Sequence, residues 1–285
     1  MRAALRIAAL GLLAAILPGV AAGAETRAKP QRILSMNQCT DLLVLQLVPK
    51  ARIAGVTYLA RDGAKALFPG AADGVAVNYG TPEDIIKFRP DLILTGDFSL
   101  AVTRRLAREV GAPIVEVSSA RSFDDVRRSV RQVGVAVGEP ARAEALIRRM
   151  DAQLAGLAAR KPARPTRVVA WDGGATVPGT ETFANQIIRA AGAVNIAAQP
   201  GPTYTSFGVE QLLQARPEAL LYGGGERPLV QSEESRHRAI RQMFAGRRIP
   251  FADVAFSCGL PQSVDAAVEL RRRLDALPPA GEGGR

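Results

Sequence analysis

Three sets of side chains in this sequence have the type and spacing to do chemistry: two cysteines, four tyrosines and a repeated glutamate. Cys39 and Cys258 are its only cysteines. A pair this sparse is no small-domain disulfide framework, and three readings stay open: one disulfide, two thiols touching a soft metal or a chelate, or two unrelated thiols. A bond needs Cα atoms within about 7 Å, which residues 219 positions apart in sequence do not reach unless the fold brings them together. Tyr58, Tyr79 and Tyr204 stand beside strand signals, where loops expose an aromatic face. Tyr222 follows an apolar run. The bland alternative for each tyrosine is a packed ring with its hydroxyl satisfied. His237, in "SEESRHRAI", is the only histidine. That excludes a His-rich zinc or manganese site and any mechanism with two histidines. A secreted hydrolase working with Ser or Asp is a rival reading, but there is no G-x-S-x-G elbow and His237 sits in a charged segment.

The glutamates belong to a repeat. "TPEDIIKFRPDLIL" (81–94) returns as "GVEQLLQARPEALL" (208–221), with Glu83 on Glu210 and Arg89-Pro90 on Arg216-Pro217. The spacing is far too wide for a solenoid unit. One domain plan is used twice.

The elements around these residues follow from pattern. "RILSM" (32–36) and "RIAGVTY" (52–58) read as strands; between them "QCTDLLVLQL" has helical spacing, with Thr40 or Asp41 suited to the cap. Thr81-Pro82-Glu83-Asp84 starts a helix that stops before Pro90. "DLILTG", "SLAVTRRLAREVG" and "PIVEVS" continue as strand, helix, strand. From Ser122 two helical stripes follow, the second from about 141 to 160 and roughly 30 Å long. The alternation then restarts at "RVVAWDGG" and closes with "GRRIPFADVAF" as a last strand and "SVDAAVELRRRLDAL" as a last helix. The fold class expected is α/β: two similar lobes, each a mainly parallel sheet flanked by helices, joined by a single long helix. The expected divisions are a lobe over 25–121, a helical linker over 122–165, a lobe over 166–277 and a disordered tail over 278–285.

Residues 1–24 combine Arg2 and Arg6, the apolar stretch "IAALGLLAAILPGVA" and Ala22-Gly23-Ala24, the pattern of a cleaved secretory signal peptide. No cysteine follows the apolar stretch, so no lipid anchor is expected. Without Arg2 and Arg6 the chain carries 35 basic and 27 acidic residues. That balance suits nucleic acid, but no basic run is interleaved with aromatics, and export argues against such a partner. Arginines spread along helices are a solvated face.

Taken together, "RILSMNQCTDLL", the two repeated segments and "VPGTETFANQIIRAAGAVNIA" make the chain resemble the periplasmic substrate-binding proteins of ABC importers for cobalamin, haem and ferric siderophores. The resemblance implies a monomer that holds a metal chelate between its lobes, a ferric siderophore or other iron complex, or a corrinoid. Haem is the alternative, with tyrosine able to serve as axial ligand. It implies no catalysis and no cofactor or metal ion of the protein's own. In open parallel sheets ligands bind beyond the carboxyl ends of the strands. The segments expected to line the cleft are therefore Asn37, Gln38, Cys39, Tyr58, Asn78, Tyr79, Asp97, Phe98, Trp171, Asp172, Tyr204, Tyr222, Ser257 and Cys258. Family resemblance further implies that Glu83 and Glu210 dock on arginines of a two-fold permease. Both are expected to lie away from the strand carboxyl ends; the competing reading of each is a first-turn acid complementing the helix dipole.

Overall fold

The computed structural model describes residues 28–97, 101–171, 176–223, 238–251 and 253–277. The first lobe alternates β1 (Ile33–Ser35), α1 (Gln38–Leu47), β2 (Ile53–Thr57), α2 (Ala60–Leu67), β3 (Val77–Asn78), α3 (Pro82–Phe88), β4 (Leu92–Gly96), α4 (Ala101–Glu109) and β5 (Ile114–Val117). Its strands pair in parallel in the order β3-β2-β1-β4-β5. Both faces are covered, as a parallel sheet requires. Ile33, Leu92 and Leu94 enter one apolar layer with α1, while Leu34 and Ile93 enter another with Ile85 and Phe88.

Two helices follow, α5 (Phe123–Ala136) and α6 (Pro140–Ala159), with Ser122 capping the first through its hydroxyl. The second lobe is built from β6 (Thr166–Trp171), β7 (Thr176–Pro178), α7 (Phe183–Ala190), β8 (Ala193–Asn195), β9 (Tyr204–Ser206), α8 (Val209–Ala215), β10 (Ala219–Gly223), α9 (Arg238–Met243), β11 (Arg248–Phe251), α10 (Asp253–Ser257) and α11 (Ser263–Asp275). Four of its strands form a parallel sheet, β11-β10-β6-β8; β7 and β9 form a small antiparallel pair.

The sequence repeat is a structural repeat. A shift of 127 residues carries α3 onto α8 and β4 onto β10 end for end. Both helices end in an arginine with left-handed backbone, Arg89 and Arg216, each with φ of 44°. They are the only non-glycine residues of that conformation among the described residues. An arginine from the preceding central strand or its entry secures each helix end. Arg32 donates to the carbonyl of Phe88 at 2.6 Å, and Arg167 to that of Ala215 at 3.1 Å. The acid after each Arg-Pro closes the unit: the Asp91 carboxylate accepts the backbone N–H of Gln31 and Arg32, and Glu218 accepts that of Arg167. Such fixed carbonyl and N–H partners satisfy groups that a helix end otherwise leaves orphaned.

The lobes share a core. One apolar cluster runs from Leu42, Leu43 and Leu47 through Val126, Val130, Ile147 and Met150 to Ile187, Ile188, Val264 and Leu270. Phe123 meets Phe183 edge-on at 5.2 Å. At Gly259 the approach is so close that a Cβ would lie 2.2 Å from that of Ala120, so only glycine fits.

Two expectations are corrected. The α1 cap is Asn37, whose Oδ1 accepts from the N–H of Cys39 at 2.9 Å, and not Thr40 or Asp41. The last strand stops at Phe251, and the short helix α10 takes the residues that alternation assigned to it.

Candidate functional site

The site is built where the carboxyl ends of β1, β2 and β3 converge. Asn78, fully buried, donates from Nδ2 to the Ser35 carbonyl at 2.8 Å and accepts the Gly80 N–H on Oδ1 at 2.9 Å. Gly80 has φ of 73°, a conformation that suits glycine, and it turns the chain directly into α3. Between these anchors stands Tyr79, its own N–H held by the Asp84 carboxylate at 2.9 Å. Tyr58 follows β2 and donates its N–H to the Asn78 carbonyl at 3.1 Å. The backbone is thus fixed while both rings stay in solvent: Tyr58 is 53% and Tyr79 69% exposed, with centroids 5.9 Å apart and planes 30° from each other. Two large rings displayed side by side on a rigid edge make an aromatic shelf. Tyr204, 49% exposed, opens β9 in the second lobe.

Under the shelf lies a group that sequence patterning missed. Asp41 is wholly buried on α1, and its Oδ2 accepts both the N–H and the hydroxyl of Thr57, the residue before Tyr58. Oδ1 has no hydrogen-bond partner among the described residues. Burial pushes its carboxyl up from the ordinary 3.8 to about 7, against the opposing hydrogen bonds of Ser35 and Thr57. The folded protein therefore holds this proton more tightly than the unfolded chain. Stability from this group is full below about pH 4 and is lost as pH rises through about 7. Asp41→Asn, which mimics the protonated form, should flatten that slope, so that melting temperatures at pH 5 and pH 8 differ less than in the wild type. An unchanged difference would show that Asp41 does not titrate in the folded protein between these two pH values.

Cys39 and Cys258 form a disulfide with Cα atoms 5.2 Å apart. Cys39 lies in the first turn of α1, beyond the carboxyl end of β1, and Cys258 beyond the carboxyl end of β11. The carboxyl edges of the two sheets therefore meet at this point. The bond closes the thiol alternatives, and Cys258, 1% exposed, belongs to the shared core and not to a cleft wall. It staples the back of the site. Val254 against Gly63, and Gln262 bonded to Gln46, continue the same seam.

Other expected residues divide. Asn37 spends its oxygen on the helix cap, and Gln38 reaches the Leu59 carbonyl at 3.3 Å. Asp97 is exposed and accepts the Ser119 N–H, tying the loops after β4 and β5 together. Tyr222 is half-buried with the Arg248 guanidinium 4.5 Å over its ring. Trp171 is a correction: it is 1% exposed, packs with Phe207 and Leu212, and donates its indole N–H to the Phe207 carbonyl at 2.8 Å. Residues on β6 alternate between two buried faces, and Trp171 takes the one under α8. Asn78 is likewise a buried brace. Phe98, Asp172, His237, the signal segment and the tail over 278–285 lie outside the described residues.

Glu83 and Glu210 are both exposed in the first turns of α3 and α8. Since each helix runs back antiparallel to the strand it precedes, its first turn stands at the carboxyl edge. The glutamates therefore sit at the carboxyl edges of their sheets, contrary to the expectation that they lie away from the strand carboxyl ends.

Two α/β lobes joined at their carboxyl edges by the disulfide, the first carrying an aromatic shelf, have the architecture of a two-lobed binding protein. The model of the periplasmic binding protein family matches residues 33–248, and the chain belongs to that family. A cobalamin-binding protein of Halobacterium salinarum is 26% identical over 206 residues, which cover 68% of this chain and 54% of that protein. The chain thus spans about half the length of the curated relatives it matches. Among solved structures, the periplasmic haem-binding protein HutB of Vibrio cholerae superposes with a TM-score of 0.72 at 19% identity, over 86% of this chain and 98% of that one. RhuT, a periplasmic haem-binding protein from Roseiflexus sp. RS-1, gives a TM-score of 0.68 at 23% identity, over 85% and 97%. At these identities the structures bear on the fold alone.

Proposed function

We propose that this protein is exported to the periplasm, captures a metal-centred chelate between its lobes, and hands it to an ABC permease. The observation that carries the reading is the exposed pair Tyr58 and Tyr79, held on one rigid edge where a flat, largely apolar ligand can lie across both rings. Tyr204 on the facing lobe supplies an aromatic for the other side. A corrinoid or a ferric complex fits this arrangement, and the cobalamin-binding relative supports the former. Haem is a second reading, favoured by the phenol groups, since tyrosinate is an established axial ligand for haem iron. Titrating the purified protein with cyanocobalamin, haemin and a ferric hydroxamate, followed by absorbance, should give one dissociation constant in the micromolar range or below, about −8 kcal/mol. Binding of none of the three would sink the proposal.

Hand-off is assigned to Glu83 and Glu210. Their equivalent rims present two carboxylates to a two-fold permease, and close interfacial charge pairs couple by about 1.5–7 kcal/mol. Glu83→Ala with Glu210→Ala should leave chelate affinity unchanged and abolish most uptake into cells. A double variant that imports at the wild-type rate would remove the docking role.

A further inference from the structure

The docking helices repeat more than their acids. Ile85 and Leu212 occupy equivalent positions and are both fully buried, so the core has its apolar contact from each helix. The next residues, Ile86 and Leu213, are equivalent too, yet 58% and 40% exposed. A single exposed aliphatic residue is ordinary. The same exposure at the same place in both lobes, on helices of identical length and identical closure, is not explained by packing within either lobe. Each of these residues lies three positions after its glutamate, where side chains on a helix are neighbours. Arg32 and Arg167, with Asp91 and Glu218, fix both helices to their sheets, so the two pairs are presented rigidly.

We infer that Ile86 and Leu213 are the apolar anchors of two equivalent docking patches, and that their partner is a two-fold-symmetric membrane protein. Each of its subunits would offer a basic group beside an apolar hollow. The inference rests on the docking reading of Glu83 and Glu210 and deepens it. An acid on an exposed rim gains little from a partner cation while water surrounds the pair. Seating an aliphatic side chain one turn away excludes that water and supplies burial of its own. One chain offering the same patch twice is matched by a partner offering the same socket twice. A second copy of this chain suits it poorly, since an isologous contact would set carboxylates of like patches against each other. Because both patches stand at the carboxyl edges of their sheets, where the proposed chelate lies, a partner engaging both also spans the ligand. The chelate would then leave directly into it.

The test places a photo-crosslinking amino acid at position 86, at 213, or at the exposed Val135 on α5 as control, in protein produced in its own cells. Positions 86 and 213 should each capture the same integral membrane polypeptide, and position 135 should not. Ile86→Ser with Leu213→Ser should lower crosslinking from the neighbouring helix face and uptake by about tenfold or more, with chelate affinity unchanged. Capture of another copy of this chain, of different proteins at the two sites, or of lipid alone would overturn the inference. If Glu83→Ala with Glu210→Ala stops uptake while the Ile86 and Leu213 variants import normally, the anchors fail and the docking reading stands. If neither pair affects uptake, both fail.

Discussion

Reducing the bond between Cys39 and Cys258, or replacing both by serine, should lower the melting temperature by on the order of 10 °C. The bond closes a loop of 219 residues, nearly the whole described chain. For a loop of that length the chain-entropy account gives about 5 kcal/mol at 25 °C, the upper end of what disulfides contribute. Its location adds to the effect. The bond joins the first turn of α1 to the end of α10, within the apolar seam that both lobes share, so losing it loosens the lobes relative to each other as well as the unfolded chain. Thermal melts of oxidised protein, reduced protein and the double serine variant are the check. The two altered forms should melt together and well below the oxidised one. Coincident melts for all three would mean that the shared core holds the lobes without the staple.

The second large effect is on ligand binding. Tyr58→Ala with Tyr79→Ala should weaken chelate affinity by about 2 kcal/mol or more, roughly a factor of thirty, with little change in melting temperature. Both rings are more than half exposed and neither belongs to an apolar cluster, so their loss leaves no cavity. The backbone beneath them is held by Asn78, Asp84 and Thr57 through main-chain contacts that alanine preserves. Tyr204→Ala tests the facing lobe in the same way. Retained affinity with a lowered melting temperature would reassign these tyrosines to packing.

Much of this architecture is legible in the sequence because it is local or periodic. The α3–β4 and α8–β10 units announce themselves through Arg-Pro followed by an acid, and the structure shows why those residues recur. A left-handed arginine ends the helix, proline prevents its continuation, and Asp91 or Glu218 ties the turn to the neighbouring strand. The pairing of Cys39 with Cys258 was not legible, since it depends on how two distant carboxyl edges are brought together. Trp171 was misplaced for a related reason. Its position at a strand end resembles a cleft position, but which face it takes is decided by α8 and Phe207, residues far along the chain. Asp41 reads as a candidate helix cap, and only the packing of β2 against α1 turns it into a buried carboxyl. Ile86 and Leu213 could have been found from the repeat itself: two successive aliphatics in each short helix are one more than a single buried face needs.

The central claim is that a metal chelate lies on the aromatic shelf between the lobes. Its most direct test is the visible absorption spectrum, with metal analysis, of the protein purified from its own cells without added ligand. A coloured protein with stoichiometric cobalt or iron is expected, and its bands should shift or disappear when Tyr58 and Tyr79 are both replaced by alanine. A colourless, metal-free protein that stays so after incubation with corrinoid, haem and ferric chelates would contradict the account.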